Sequence, residues 1–305
     1  MNTSIIFDEI FEYRIIGKKT GGMGEVLILD RISKPSALDF IHQKRIAAKT
    51  FKEQHTSNKK NFEREISIWL NFHDYVFQQS KIVKLLKTTH INSKLYALMP
   101  FYHSNLSDLI KDKENINSDE ALIIMDDIVD GLRVVYEKYG VVHQDLKPEN
   151  ILCKKGYNTR DEFHVSDWGI SNIQRNMCPE IPTHEWLPHS FVEIMANSGT
   201  LPYMSPERFY GEYSNVSADV YAVGLILFEM IFGFLPFVDE KALELQIIEG
   251  DYYDLACWIL KKEVNNSKLV NFIQTCIHPN SNERYPEYKS LEKALKRIRH
   301  KWLFF

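Results

Sequence analysis

The feature that most constrains this chain is the run GVVHQDLKPENILC, which begins at Gly140 and brings three chemically different side chains close together. Asp145 can accept a proton, Lys147 can hold a phosphate group, and Asn150 can coordinate Mg²⁺. A second carboxylate follows at Asp167, beside a tryptophan and a glycine, where it can bind a metal next to a flexible backbone position. Together these are the groups that phosphoryl transfer requires.

The same run resembles the catalytic loop of the protein kinase family. The family pattern H-R-D-L-x-x-x-N is matched from His143 to Asn150, with Gln144 at the arginine position. The family triplet D-F-G is matched by the Asp-Trp-Gly triplet that begins at Asp167. The Lys-Pro-Glu sequence inside the loop is similar to the serine/threonine type rather than the tyrosine type. A wider resemblance surrounds these motifs along most of the chain.

The length agrees with more than one folding unit, because 305 residues at 44% hydrophobic content exceed the usual size of a single domain. The resemblance implies an α+β, bilobal protein kinase-like fold. It would consist of an amino-terminal extension at residues 1–12 and a kinase domain at 13–305. That domain would divide into a β-rich lobe at 13–99 and a helical lobe at 100–305.

Composition argues against several other classes of protein. The net charge of −4 and the pI near 6.3 are unlike those of a dedicated nucleic-acid binder. The four cysteines have no C-x-x-C spacing, which favours reduced thiols in a cytoplasmic location. The amino terminus has no signal-peptide pattern. The longest apolar run, 220–237, contains Glu229, so we predict a buried helix there and no membrane span.

A glycine-rich turn lies between two strand-like segments, Tyr13–Gly17 and Glu25–Asp30. Glycines let backbone N–H groups approach phosphate oxygens, although such a turn by itself is more often only a turn. The family pattern G-x-G-x-x-G-x-V is similar here, except that its first glycine position holds Lys19. The resemblance implies a nucleotide phosphate site at Gly21, Gly22, Gly24 and Val26.

A lysine after this hairpin resembles the one in the family sequence V-A-I-K. Lys49 ends a predicted strand that begins at Arg45, and a helix is predicted from Lys59 to Phe72. The apolar face predicted for this helix contains Phe62, Ile66, Trp69 and Leu70. Glu65 lies beside that face, so we predict that it orients Lys49, with Glu63 as the weaker candidate. By resemblance, Lys49 would bind the α- and β-phosphates.

The next apolar segments predict the strand 82–86 and a strand from Lys94 that runs into a linker between the lobes. By resemblance, Met99 is the gatekeeper residue and adenine bonds the backbone from Pro100 to Tyr102. Because proline has no N–H, Tyr102 must supply the donor. The resemblance also assigns Ala47 and Leu152 to the nucleotide pocket.

The resemblance implies a role for each residue of the catalytic cluster. Asp145 would accept or orient the proton of the substrate hydroxyl, and Lys147 would bind the γ-phosphate. Asn150 and Asp167 would hold Mg²⁺, with Mn²⁺ as an alternative. Thr200 is the second residue of a match to the family run G-T-x-x-Y-x-[AS]-P-E, which begins at Gly199. By resemblance, it would contact Asp145 and Lys147 beneath the substrate.

Two departures from the family pattern change what we expect of its regulation and packing. Gln144 replaces an arginine that binds an activation-loop phosphate in many kinases, so activity need not depend on that ion pair. Trp168 replaces phenylalanine and is predicted to pack between the lobes. The predicted partners of Trp168 are Trp69, Leu85 and His143, the last as a core histidine and not a base.

The remaining motifs predict the scaffold of the helical lobe. Asn117 and Glu120 form a capping pair that opens a helix from Ser118 to Tyr139. A second helix is predicted from Asp219 to Gly233, with Asp219 bracing the catalytic loop by resemblance. A family ion pair is expected between Glu207 and Arg284. The basic stretch 291–305 is predicted as a packed terminal helix, with a membrane or partner surface as the alternative.

The sequence therefore predicts a serine/threonine protein kinase of bacterial type that transfers the γ-phosphate of ATP to proteins, with autophosphorylation as a further expectation. An activator outside this chain is left open. A pseudokinase that only binds nucleotide is one alternative, but such proteins normally lack Lys49, Asp145 or Asp167, and all three are present. A small-molecule phosphotransferase is the other, and it should lack the G-T-L-P-Y-M-S-P-E run.

Overall fold

The structure is a computed structural model. The model describes residues 5–7, 12–20, 24–32, 44–51, 56–72, 80–91, 93–156, 159–168, 172–173, 201–209, 215–238 and 243–299.

The amino-terminal lobe is built on a six-stranded antiparallel sheet with the strand order β1-β2-β3-β4-β6-β5. The strands are β1 (Ile5–Phe7), β2 (Glu12–Thr20), β3 (Gly24–Arg31), β4 (Arg45–Phe51), β5 (Lys87–Ile91) and β6 (Lys94–Pro100). The predicted hairpin is present as β2 and β3. Strand β1 lies within the segment that we predicted as an extension and pairs with β2, so the sheet begins before residue 12.

Alternation along these strands divides the sheet into two faces. On β4, Ile46 and Ala48 belong to a small apolar cluster that also contains Tyr13 and Leu98. Ala47 lies between them on the opposite face and joins the main core. The second face is the one that turns toward the helical lobe, and it therefore presents the predicted nucleotide-binding side chains.

Helix α1 (Thr56–Leu70) packs on this second face. Phe62, Ile66 and Trp69 are buried as predicted, but Leu70 is 47% exposed and its assignment to the apolar face was wrong. Successive helical residues point about 100° apart, and the buried face of α1 extends from Ile66 through Trp69 to Ile68. Leu70 lies beyond the Ile66 edge of that face, so it points toward solvent.

The predicted strand at 82–86 was also wrong, since the following strand begins only at Lys87. Ile82 forms an isolated parallel bridge with Val165 of the helical lobe. The Val83 N–H donates to the Val165 carbonyl at 2.8 Å, and the Val165 N–H donates to the Lys81 carbonyl at 2.9 Å. This segment therefore connects the two lobes instead of extending the amino-terminal sheet.

The carboxy-terminal lobe is mainly helical. Its helices are α2 (Leu106–Lys113), α3 (Ser118–Tyr139), α4 (Pro206–Phe209), α5 (Val216–Phe232), α6 (Leu243–Glu249), α7 (Asp251–Glu263), α8 (Ser267–Cys276) and α9 (Tyr288–Arg299). Short strands complete it: β7 (Ser104–Asn105), β8 (Val141–Val142), β9 (Ile151–Lys154), β10 (Glu162–Val165) and β11 (Asn172–Ile173). Strands β7, β9 and β10 form one small sheet, and β8 pairs with β11 in another.

Helix α3 has the predicted bounds because local signals define both of its ends. The Asn117 carboxamide oxygen accepts from the Glu120 N–H at 3.0 Å, and Gly140 closes the helix in the left-handed region at φ 62°. Helix α5 ends at Gly233 as predicted, at φ 77°. It begins earlier than predicted, because Asn215 rather than Asp219 caps it.

The terminal helix α9 packs into the core through Tyr288, Leu291, Leu295 and Ile298. This confirms the predicted packed helix over residues 291–299, and the rest of that prediction, 300–305, lies outside the described residues. The two lobes together confirm the α+β, bilobal kinase-like fold. Among the helices of the described ranges, none combines the length and apolar character needed to cross a membrane.

Candidate active site

The catalytic loop is held from behind by the carboxylate of Asp219. Its two oxygens accept from the backbone N–H groups of His143 and Gln144, each at 2.7 Å. The Tyr288 hydroxyl also donates to Asp219, which is buried. An ionised carboxylate accepts such bonds more strongly than a neutral group, so Asp219 fixes the loop backbone where the functional side chains begin.

Three predicted residues converge in this loop. The Asn150 carboxamide nitrogen donates to the Asp145 carbonyl at 2.8 Å and to its carboxylate Oδ2 at 3.1 Å. Lys147 Nζ lies 3.6 Å from Asp145 Oδ2. All three side chains are buried, so the orientation of the Asp145 carboxylate is constrained by both neighbours. The amide nitrogen of Asn150 is occupied by Asp145, and its amide oxygen is the atom that can coordinate a cation.

A second cluster lies between the lobes, centred on Lys49 of β4. Lys49 Nζ is 2.7 Å and 2.8 Å from the two carboxylate oxygens of Glu65, on α1. It is 3.1 Å from Asp167 Oδ1. Glu63 instead lies 3.8 Å from Lys59 at the exposed surface. The structure thus places Lys49 between one acid from each lobe.

Electrostatics in this second cluster favour the charged forms of Lys49 and Asp167. Burial opposes the charge on Lys49, but Asp167 and Glu65 outweigh that effect and raise the pKa of its ammonium. Burial by itself would raise the pKa of Asp167, whereas the charge and hydrogen bond of Lys49 lower it overall. A carboxylate that stays ionised is a suitable ligand for a divalent cation.

Asp167 reaches this position through an unusual backbone conformation. Its φ is 65°, in the left-handed region that non-glycine residues seldom adopt. Immediately before it, the Ser166 N–H and hydroxyl both donate to the Asn150 carbonyl, at 2.9 Å and 2.8 Å. The bonds at Ser166 join the segment that carries Asp167 to the segment that carries Asn150, so the two predicted cation ligands belong to adjoining segments.

Trp168 lies in the core between the lobes. Its ring is 4.6 Å from the ring of His143 and 5.5 Å, edge to face, from that of Phe72. His143 is fully buried and its Nε2 lies 2.9 Å from the Ser166 carbonyl, which is the structural role predicted for it. Trp69 instead donates its indole N–H to the Val83 carbonyl at 2.6 Å. Phe72, which sequence reasoning did not include, occupies the place predicted for Trp69.

The predicted nucleotide pocket has apolar walls from both lobes. Ala47 pairs with Met99 across β4 and β6, and both are buried in the main core. Val26 of β3 and Leu152 of β9 are half-buried against the same core. Val26 and Ala47 lie on the face of the sheet that carries Lys49, since Val26 pairs directly with Lys49 and Ala47 precedes it by two residues on β4.

The linker between the lobes follows β6. Pro100 is the last residue of that strand, and Tyr102 lies beyond it with its ring 5.4 Å from the ring of His164. Burial raises the pKa of the Tyr102 hydroxyl, so this side chain stays neutral. Its backbone, not its phenol, is the part predicted to contact adenine.

Two parts of the predicted site lie outside the described residues: Gly21 and Gly22 in the glycine-rich turn, and Thr200. Gly24 is described at the start of β3, where a Cβ atom would be 2.9 Å from the Thr50 carbonyl oxygen. That spacing is too short for any side chain, so the backbone approach at Gly24 requires glycine.

The predicted ion pair of the helical lobe is present and bidentate. The Arg284 guanidinium donates to the two carboxylate oxygens of Glu207 at 2.9 Å and 3.0 Å, and the pair is buried. Sequence reasoning missed a nearby contact, in which the Tyr203 hydroxyl donates to Glu229 at 2.6 Å. The only signal for it was a glutamate inside an apolar helix.

The described site combines two groups of side chains within a bilobal fold. One is a lysine between two carboxylates, and the other is a carboxylate, a lysine and an amide on one loop. Comparison with known proteins identifies the family of the chain. The family model described as the protein kinase domain matches residues 33–303. This is most of the chain, and the chain therefore belongs to the protein kinase family.

Individual relatives agree with this assignment. The chain is 27% identical over 212 residues to a probable myosin light chain kinase of Dictyostelium discoideum, covering 68% of this chain and 49% of the relative. It is 29% identical over 217 residues to the serine/threonine protein kinase OSK3 of Oryza sativa subsp. indica, and this match covers 69% of this chain and 38% of the relative. It is 26% identical over 195 residues to the probable serine/threonine-protein kinase PknB of Lactococcus lactis, and this match covers 62% of this chain and 28% of the relative. The chain spans less than half the length of each.

Proposed function

We propose that this chain is an active serine/threonine protein kinase that transfers the γ-phosphate of ATP to hydroxyl groups of proteins. The observation that carries the proposal is the position of Lys49, which lies 2.7 Å from Glu65 and 3.1 Å from Asp167. A lysine held between these acids is arranged to receive phosphate oxygens beside a metal ligand. Asp145, Lys147 and Asn150 are present as well, so the chain has the residues for chemistry in addition to binding.

Bound Mg²⁺ would neutralise charge on the phosphates, and Mn²⁺ could serve in the same place. The carboxylate of Asp167 and the amide oxygen of Asn150 fit the oxygen ligands that such a cation requires. Adenine would lie against Ala47 and Leu152, with the linker backbone near Tyr102 providing hydrogen bonds. Gly21, Gly22, Gly24 and Val26 are proposed to cover the phosphates.

Within the site, Asp145 would receive or orient the proton of the attacking hydroxyl, while Lys147 would stabilise charge on the transferred phosphoryl group. Positioning of the base relies on the bonds from Asn150 and on the backbone bonds to Asp219 described above. A general base of this kind contributes roughly 10²–10⁴-fold to the rate.

Specificity for serine and threonine in proteins is supported by two observations. The run G-T-L-P-Y-M-S-P-E, which contains Thr200, is similar to the substrate-binding platform of serine/threonine kinases. The rice relative is named a serine/threonine protein kinase, and the Lactococcus relative is named a probable serine/threonine-protein kinase. We propose that the protein acts in the cytoplasm, that its substrates are proteins, and that an activator outside this chain takes part.

The test is phosphate incorporation by the purified chain with Mg²⁺-ATP and a generic protein substrate, located by mass spectrometry. Asp145→Asn is the matched control, because it preserves the shape of the side chain and removes its charge. We expect phosphoserine or phosphothreonine with the unmodified chain and a loss of about 10²–10⁴-fold in the variant. Equal incorporation by both proteins, or ATP binding without any transfer, would contradict the proposal.

A further inference from the structure

Arg208 connects the segment Leu201–Phe209, which follows Thr200, to the catalytic loop. It belongs to α4, the short helix that follows the turn at Leu201–Tyr203. Its guanidinium Nη1 donates to the carbonyl oxygen of Gln144, which lies 64 residues earlier in the chain. None of the kinase motifs recognised in the sequence includes this arginine, and none of the roles assigned above involves it.

The acceptor of this bond is a residue with a strained backbone. Gln144 has φ 66°, in the left-handed region, where a non-glycine residue persists only if its surroundings hold it there. Asp219 accepts the Gln144 N–H at 2.7 Å. Arg208 binds the carbonyl at the other end of the same residue. Both polar groups of the Gln144 backbone are therefore bound to side chains of opposite charge.

The carbonyl that Arg208 binds belongs to the peptide unit that leads into Asp145. A peptide unit is planar, so the Gln144 carbonyl and the Asp145 N–H turn together. The Asp145 N–H faces His143 Nδ1 at 3.2 Å. Arg208 and His143 thus hold opposite edges of one rigid plane, and the orientation of that plane sets the direction in which the Asp145 side chain leaves the backbone.

Arg208 is itself firmly positioned. The preceding residue, Glu207, is fixed by the bidentate bond from Arg284. Burial lowers the pKa of the Arg208 guanidinium, and the surrounding carboxylates oppose that shift; they belong to Asp145, Asp219 and Glu207. A cation among these acids also offsets the repulsion between their negative charges.

We propose that Arg208 is a positioning residue of the catalytic loop, which holds the Gln144–Asp145 peptide in its working orientation and couples it to the segment Leu201–Phe209. The part of this inference that concerns phosphate transfer rests on the proposed function. The part that concerns the geometry of the loop does not. The two parts can therefore be tested by separate measurements on the same proteins.

The first measurement is amide hydrogen exchange over residues 141–150 in the full chain. Arg208→Met removes the donor and the charge but keeps the length of the side chain, and Arg208→Lys retains the charge. Arg297→Met is the matched control, because Arg297 is exposed on α9. We expect the amides of this loop to exchange about 10-fold faster in Arg208→Met than in the parent protein, and at an intermediate rate in Arg208→Lys. The exchange rate in α7 should be the same in every protein.

The second measurement separates kcat from KM for phosphate transfer. We expect Arg208→Met to lower kcat by about 10–100-fold while the KM for ATP stays within about 2-fold, because a misplaced group affects chemistry more than nucleotide binding. Arg208→Lys should recover part of kcat, and Arg297→Met should behave as the parent protein.

Unchanged loop exchange in Arg208→Met would overturn the inference whether or not the parent protein transfers phosphate. A parent protein without transfer activity would overturn the proposed function alone, and the exchange result would still decide the role of Arg208. If Arg208→Met does not fold, Arg208→Lys decides instead: parental exchange and parental kcat in that variant would overturn the inference, since lysine cannot reproduce the guanidinium geometry.

Discussion

The two halves of the site are held in place by different forces. The catalytic loop, which carries Asp145, is fixed within one lobe by hydrogen bonds that its backbone N–H groups donate to the carboxylate of Asp219. The Lys49 cluster instead joins elements of both lobes through side-chain charges, and the Asp167 side chain is 38% exposed. We infer that the loop is preorganised for catalysis, whereas the Lys49 cluster can exchange partners when phosphates and a cation arrive.

The largest expected effect comes from breaking the preorganised half. Asp219→Asn replaces one of two carboxylate acceptors with an amide donor, facing the N–H groups of His143 and Gln144. A buried donor left unsatisfied costs about 1–3 kcal/mol, so unfolding free energy should fall by roughly 2–5 kcal/mol. The displaced loop should lower kcat about 100-fold. Denaturant titration and steady-state kinetics measure both quantities.

Asp130→Asn is the control for this substitution, because Asp130 forms a surface ion pair with Arg133 on α3. Its loss should cost less than about 1 kcal/mol and leave kcat unchanged. Similar effects from the two substitutions would show that Asp219 does not organise the loop.

The second effect tests the charge-held half. Glu65→Gln removes the anion 2.7 Å from Lys49 but keeps a hydrogen-bond acceptor. We expect kcat/KM for ATP to fall about 10–100-fold, with little change in unfolding free energy, because only the orientation of Lys49 is lost. Glu63→Gln changes the neighbouring exposed carboxylate and should have no effect on kcat/KM. Equal losses in the two variants would contradict the assignment of Glu65.

A smaller effect is expected at the junction of the two halves. Trp168→Phe shortens the ring that contacts Phe72 and His143 and removes a buried indole N–H, which has no hydrogen-bond partner among the described residues. Loss of packing and loss of an unsatisfied donor act in opposite directions. Unfolding free energy should therefore change by less than about 1.5 kcal/mol, as measured by urea titration. A loss of about 3 kcal/mol or more, as for truncation of a large core side chain, would contradict this balance.

The smallest effect concerns an ion pair that also crosses between the lobes, from Lys81 to Glu162. The hydrogen bond from Lys81 is the main cause that lowers the pKa of Glu162 to about 2, from 4.5. Since the folded pKa is the lower one, this stabilisation is complete above pH 4.5 and is lost as pH falls toward 2. Stability of the parent protein should therefore decline more steeply in this window than that of Glu162→Gln.

Thermal unfolding between pH 5 and pH 2 measures this difference, and at pH 7 the two proteins should differ by less than about 1 kcal/mol because the pair is partly exposed. Glu263→Gln, at an exposed position beside Lys262, is the control and should follow the parent protein at every pH. Parallel pH profiles for Glu162→Gln and the parent protein would show that this pair does not contribute.

Much of the fold could be predicted where signals are local. Helix α3 was predicted with its correct bounds because Asn117 and Gly140 mark its ends directly. The start of α5 was missed because Asp219 resembles a helix-opening residue while its carboxylate is used by the catalytic loop. The segment at 82–86 was misread because its apolar residues match a strand pattern, although its partner is Val165 in the other lobe.

The sequence by itself determined which chemical groups the site contains, because Asp145, Lys147 and Asn150 are neighbours in one loop whose spacing can be recognised. Only the tertiary structure decided how these groups are supported. Arg208 meets Gln144, and Phe72 meets Trp168, across separations that no local pattern encodes. Such contacts depend on how helices and loops from distant parts of the chain pack together, and that packing is fixed by the whole core rather than by any one motif.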